Sequence, residues 1–111
     1  MARLIWTEPA LSDLDEIAEY IALDNQGAAK KLVQKVFQKL ERLEKHPLSG
    51  RKPPELKKTS YREVIVDPCR IFYRIDNNKI YILYIMRGES QLRKYLLEER
   101  GEKTKGSREI N

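Results

Sequence analysis

The stretch "CRIFYRIDNNKIYILYIMRGES", Cys69–Ser90, decides the fold. Its first half alternates Arg70, Phe72 and Arg74 with Ile71, Tyr73 and Ile75, the two-residue period of a β-strand. Asn77–Asn78 suits a two-residue hairpin turn, because asparagine tolerates positive φ better than most residues. "KIYILYIM" (Lys79–Met86) is apolar on both faces, as expected of a strand covered on both sides. Upstream, "YREVIV" (Tyr61–Val66) reaches this hairpin through Asp67–Pro68, which makes three consecutive antiparallel strands.

If both turns hold two residues, the register follows. Arg74 lies between Tyr61 and Tyr81, Phe72 between Glu63 and Leu83, and Arg70 between Ile65 and Ile85. Alternation puts these side chains on one sheet face. Arg62, Val64, Ile71, Tyr73, Ile75, Ile80, Ile82 and Tyr84 then point the other way. A row of Tyr61, Phe72, Tyr81, Leu83 and Ile85 left in water would be a liability, so the arginine face is expected either to bind a partner or to be covered. The cover available is the C-terminal segment, through Leu92, Tyr95, Leu96 and Leu97.

Two helices are expected before these strands. "RLIWT" (Arg3–Thr7) reads as a short strand, with Thr7 a plausible N-cap and Pro9 in the first helical turn. Leu11, Leu14, Ile17, Ala18 and Ile21 give residues 8–23 an amphipathic helical pattern. After the break at Asp24–Gly27, a second stripe of Ala29, Leu32, Val33, Val36, Phe37, Leu40 and Leu43 runs until His46–Pro47, where proline pushes its predecessor out of the α region. So short a connection predicts an antiparallel helical hairpin. Residues 47–60 read as a loop, and Ser90–Arg100 as a short helix or an extended arm. The order β-α-α-β-β-β defines an α+β domain, with a helical hairpin packed on an antiparallel sheet. One domain spans residues 1–100, and the polar tail 101–111 is expected to be disordered.

Charge is distributed unevenly along the 111 residues, whose formal net charge is +5. Residues 1–27 carry one arginine against six carboxylates, whereas residues 28–62 carry eleven Lys/Arg against three Glu. Ion pairs along the seam of the two helices would cancel part of this. Otherwise the basic block favours an acidic partner, either nucleic acid or an acidic protein segment. The one cysteine, Cys69, and the one histidine, His46, form no metal-ligand set, so no metal or cofactor is expected. No apolar run nears the ~20 residues needed to cross a membrane. The expected setting is the cytoplasm.

Four phrases, in order, carry a resemblance: Trp6–Ile21 (W-T-x-x-A-x-x-D-L-x-x-I-x-x-Y-I), Leu43–Arg51 (L-x-x-x-P-L-S-G-R), Tyr61–Glu63 (Y-R-E) and Arg70–Ile75 (R-I-F-Y-R-I). Together, over about residues 3–97, they resemble the ParE branch of the RelE/ParE toxin superfamily. The resemblance implies a toxin of a bacterial type II toxin–antitoxin module, associated with plasmid stabilisation. It also implies neutralisation by an acidic, ParD-like antitoxin, whose C-terminal region wraps over the toxin in a hetero-oligomeric complex.

The superfamily holds two chemistries. RelE-like members are ribosome-dependent endoribonucleases, which need a general base, an acid and basic groups around the phosphate. Arg70 aligns with a nuclease arginine, but the base strand here reads Tyr61 and Glu63, and the terminal tyrosine has no match beyond Tyr95. ParE-like members are associated instead with inhibition of DNA gyrase. Many carry His-Gly after the last strand, where this chain has Arg87–Gly88. The resemblance therefore leans to a gyrase inhibitor without catalytic residues, with the basic block Lys30–Arg62 available for indirect contact with gyrase-held DNA. Tyr61, Arg70, Phe72, Arg74, Tyr81, Leu83 and Arg87 are the candidate antitoxin- or target-binding residues. The enzyme alternative is an mRNA interferase using Arg70 and Arg74 on phosphate and Glu63 as base. A third reading is a degenerate, non-toxic binding module.

Overall fold

Thr7 opens the first helix: its hydroxyl accepts from Ala10 N and also donates to Ile82 O at 2.6 Å, so one side chain caps the helix and pins it to the sheet. A computed structural model of the chain describes residues 2–56 and 58–104. The elements run β1 (Arg3–Trp6), α1 (Glu8–Ala22), α2 (Gln26–Glu41), β2 (Tyr61–Val66), β3 (Cys69–Asp76), β4 (Lys79–Arg87) and α3 (Lys94–Thr104), with short 3-10 turns between α2 and β2. Asn25 caps α2 by accepting from Ala28 N at 3.0 Å. No helix among the described residues is long and apolar enough to cross a membrane.

The sheet order is β1-β4-β3-β2. β2, β3 and β4 are antiparallel as expected, and Asn77 and Asn78 both take positive φ, 48° and 62°, in the hairpin turn. β1 pairs with β4 in parallel, which makes the sheet mixed and differs from the antiparallel expectation. This pairing makes β4 a central strand, and its residues Ile80 to Met86 are all buried. The α1–α2 hairpin packs on one face over Leu14, Leu32, Val36, Leu40, Ile71, Tyr73 and Ile82. On the same side the Trp6 and Phe37 rings meet with centroids 4.9 Å apart.

The expected register holds for β2 against β3, where Tyr61 faces Arg74, Glu63 faces Phe72 and Ile65 faces Arg70. Between β3 and β4 it holds only up to Tyr73. There a bulge leaves Leu83 unpaired, so Phe72 faces Tyr84 and Arg70 faces Met86. Beyond a bulge the side-chain alternation changes face. Ile85 accordingly joins the core under the helical hairpin, and Tyr84 joins the arginine face, the reverse of the two-residue-turn expectation.

The arginine face is covered. α3 lies across it, and Leu92, Leu96 and Leu97 pack on Tyr61, Phe72, Tyr81, Leu83 and Tyr84, while Tyr95 stays exposed. The helix runs to Thr104, so residues 101–104 are ordered parts of the domain rather than tail; residues 105–111 lie outside the described residues. Gly101 permits the close approach, because a Cβ there would collide with the Tyr61 hydroxyl and ring. Alanine is the better helix former by about 1 kcal/mol. Gly101→Ala is nevertheless expected to destabilise the protein by roughly 1–3 kcal/mol through overpacking. Tyr61→Phe, which removes the nearest colliding atom, should recover part of that loss in urea unfolding. A more stable Gly101→Ala protein would mean that α3 does not rest on β2.

Candidate functional site: the covered arginine face

Six of the residues picked out by the sequence are brought together beneath α3. Tyr61, Phe72, Tyr81 and Leu83 form the apolar middle, flanked by Arg70 at one end and Arg74 at the other. Arg87 stands apart, at the exit of β4 beside α1. Its guanidinium lies 4.7 Å from the Tyr20 ring centroid and 2.5 Å from a Glu89 oxygen.

Arg70 spends its donors inside the protein. Its two terminal nitrogens bind the Glu55 carboxylate at 2.8 Å each, and Nε and Nη2 bind Glu63 at 3.0 and 2.6 Å. Glu63 is 1% exposed and also accepts from Arg51 at 3.0 Å. The backbone adds to this: Arg51 and Glu63 exchange both N–H···O bonds, at 2.9 and 2.8 Å, so the loop supplies one residue of strand to the β2 edge. Tyr73 holds the same loop from the other face. Its hydroxyl donates to Pro47 O at 2.7 Å and accepts from Gly50 N at 2.9 Å. A buried carboxylate held by two guanidiniums is the arrangement in which burying charge is tolerable.

Arg74 is 4% exposed. It donates to Thr104 Oγ1 of α3 and to Asp76 at 3.2 Å, and it lies 5.3 Å from the Tyr81 ring centroid. A further polar pair fixes α3 to α1. Arg100 binds Asp13 at 2.6 Å and donates to Leu83 O at 3.0 Å, while Asp13 accepts from Ile85 N at 3.0 Å. β1 ends opposite Ile82, so these side chains satisfy the β4 edge where a neighbouring strand is missing. Beside them opens a cleft of about 840 Å³ between α1, the end of β4 and the start of α3, lined by Asp13, Glu16, Tyr84, Arg87 and Arg93 among others.

Protonation follows the same contacts. The hydrogen bonds from Arg70 hold the Glu55 carboxyl down at about 2, and Glu55 and Glu63 together raise the Arg70 pKa further. Burial pushes the Cys69 thiol up to about 11 and raises the Tyr73 and Tyr84 phenols. No group of three or more metal-binding side chains occurs among the described residues.

The sequence singled out Arg70, Arg74 and Glu63 but missed Glu55, Arg51, Thr104 and the Asp13–Arg100 pair. Glu55 and Arg51 sit in a loop without periodicity, and Thr104 sits in what composition marked as tail. The Asp13–Arg100 pair spans 87 positions, so nothing local signals it.

Glu55 carries a pH signature. Its folded pKa of about 2 lies below the unfolded 4.5, so its contribution to stability is present above pH 4.5 and fades as the pH falls towards 2. Urea unfolding from pH 6 to pH 2 should show that loss in the native sequence. Glu55→Gln should be less stable at pH 6 and show a smaller drop across the window. Parallel curves would detach Glu55 from Arg70. Arg74→Ala should cost about 1–3 kcal/mol in the same urea unfolding, because it removes a buried side chain and its hydrogen bond to Thr104 Oγ1, while Asp76 stays in solvent and Thr104 keeps its bond to Gly101 O.

With this geometry in place, the comparisons with known proteins agree in one direction. Residues 4–92 match the model of the "ParE toxin of type II toxin-antitoxin system, parDE". The Y4kP protein of Sinorhizobium fredii (strain NBRC 101917 / NGR234) is 37% identical over 91 residues, covering 80% of this chain and 91% of its own length. Toxin RelE2 of Caulobacter vibrioides is 31% identical over 86 residues, covering 77% and 93%. Among solved structures, a chain of the chromosomal ParDE toxin–antitoxin system from P. aeruginosa superposes with a TM-score of 0.67 at 29% identity, covering 80% of this chain and 98% of that one. A chain of the RelBE2 toxin–antitoxin complex from Mycobacterium tuberculosis shares the fold, with a TM-score of 0.53 at 23% identity over 78% and 96%. A four-stranded sheet clasped between a helical hairpin and a third helix, matched along most of its length to these toxins, places the chain in the ParE family of type II toxin–antitoxin toxins.

Proposed function

We propose that this toxin acts by binding DNA gyrase and inhibiting it, without covalent chemistry of its own, and that an acidic antitoxin neutralises it. The observation that carries the choice between the two superfamily chemistries is the state of Glu63. A general base must reach the proton it abstracts, directly or through one water. Glu63 is buried and already accepts from Arg51 and Arg70, so a 2′-hydroxyl has no approach to it. Arg70 and Arg74, the candidate phosphate ligands, are likewise committed to Glu55, Glu63, Asp76 and Thr104. What remains available is recognition surface.

The ParDE system of P. aeruginosa joins toxin and antitoxin, and we carry that partnership to this chain. Two features suit an antitoxin's C-terminal region. One is the groove of about 590 Å³ between α1 and α2, lined by Ala18, Ala22, Ala29 and Val33. The other is the cleft holding Arg87. Tyr61, Phe72, Tyr81 and Leu83 would join the interface only where the antitoxin displaces α3, since α3 buries them in the free toxin. Both the gyrase target and the antitoxin place the action in the cytoplasm.

A gyrase supercoiling assay beside an mRNA-cleavage assay in a translating extract tests this. Loss of supercoiling with intact mRNA is expected. Untouched gyrase, with mRNA cut in the ribosomal A site and the cutting abolished by Glu63→Gln, would establish the nuclease instead. Growth unaffected by strong induction without antitoxin would indicate the degenerate module.

A further inference from the structure

The basic block around α2 has lost the explanation that the sequence offered for it. No ion pair joins α1 and α2 among the described residues, and the α1 carboxylate that does pair, Asp13, is held by Arg100. Lys31, Lys35, Lys39 and Arg42 are all exposed, and none makes a side-chain hydrogen bond or ion pair among the described residues. At 100° per residue these four fall on one flank of the helix, next to the buried row Ala29, Leu32, Val36 and Leu40. Glu41, the acidic residue of α2, lies on the other flank with Phe37. Like charges four residues apart work against a helix, so the two lysine steps, Lys31–Lys35 and Lys35–Lys39, are a local cost that no ion pair among the described residues offsets.

The flank faces the β2 side. Lys35, Lys39 and Arg42 line a shallow groove of about 200 Å³ with Gln38, Ile65 and Val66. From Lys31 to Arg42 the row spans about 16 Å at 1.5 Å per residue. One strand of duplex DNA presents a charge roughly every 3.4 Å, so a straight backbone passes four or five phosphates along this row.

We propose that this flank of α2 is a sequence-independent contact for the phosphate backbone of duplex DNA, working on the toxin itself and without gyrase. Three features select that partner. A protein partner needs a desolvated apolar centre and avoids lysine there, yet Ile65 is the one large exposed apolar side chain of the groove. Single-stranded nucleic acid needs aromatic stacking platforms, and the ring that α2 carries, Phe37, is turned to the opposite flank against Trp6. Lysine makes point-charge contacts rather than the bidentate base contacts of arginine, which suits backbone binding without sequence readout.

The test is fluorescence anisotropy of a labelled 20-base-pair DNA duplex with the full chain, in the absence of gyrase, from 50 to 200 mM salt. Four phosphate contacts predict a log–log slope of about −3.6, roughly a hundredfold loss of affinity over that range, for any duplex sequence. Lys31→Gln/Lys35→Gln/Lys39→Gln, checked for helix content by circular dichroism, should flatten the slope by about 2.7. Lys58→Gln/Lys94→Gln/Lys103→Gln removes equal charge elsewhere and should leave the slope unchanged. Any of four results overturns the proposal: no salt-dependent binding by the native chain, equal flattening by both triple variants, tighter binding of single-stranded DNA or duplex RNA, or loss of antitoxin binding alone in the α2 variant. Because gyrase is absent, failure here leaves the supercoiling result standing, and the reverse also holds.

Discussion

β4 has no face that meets water, and most of the architecture answers to that. A strand buried from Ile80 to Met86 needs a neighbour on each edge and a cover on each face. β3 supplies one edge along the whole strand, but β1 is four residues long and supplies the other only as far as Ile82. The Asp13–Arg100 pair finishes that edge and at the same time bolts α3 to α1. The helical hairpin covers one face and α3 the other, so α3 is part of the core rather than an appendage. Its Leu97 is fully buried.

Burial of the arginines is a consequence of that cover. Once α3 lies over Phe72 and Leu83, Arg70 and Arg74 at the margins lose much of their water and must find partners within the chain. Arg70 finds Glu63 across the strand and Glu55 in the loop. Arg74 finds Thr104 on the helix that buries it. The same network fastens the irregular segment 47–60, whose Arg51 extends the sheet edge and whose Gly50 sits on the Tyr73 hydroxyl. Glu55 is thus a contact between loop and sheet.

Much of this was legible in the sequence where the signal is local. Thr7 and Asn77–Asn78 mark boundaries through backbone chemistry, and the two-residue turns place Arg74 opposite both Tyr61 and Tyr81 as found; His46–Pro47 set the end of α2 too late, because the helix tightens into a 3-10 turn after Glu41. The bulge was not legible. An unbroken apolar run such as "IYILYI" offers no alternation to show where pairing slips, so Tyr84 and Ile85 exchange faces without any local mark. The parallel pairing of β1 was equally hidden, because a four-residue strand suits either direction. The site was half legible: alternation exposes which side chains share a face, whereas their partners come from a loop and from the helix that composition had marked in part as tail.

Energetics weigh on what such a face can do. Drawing Arg70 out to meet a phosphate would strip Glu55 and leave Glu63 buried with one remaining guanidinium, and breaking a buried pair in this way typically costs 3–5 kcal/mol. A preorganised donor aimed at a developing charge contributes about 2.7–4 kcal/mol to catalysis. The two magnitudes are comparable, so a nuclease built from this pair would lose most of what the arginine gives. A protein partner faces a different balance. It would not need to strip either arginine of its carboxylates, and it can offset removal of α3 by burying the same Tyr61, Phe72, Tyr81 and Leu83 surface under a helix of its own. The exchange is one apolar cover for another: it keeps the Arg70 pairs with Glu55 and Glu63 but gives up the Asp13–Arg100 pair and the Arg74–Thr104 bond that α3 supplies. That difference in cost is what supports the proposed reading of this face as a recognition surface.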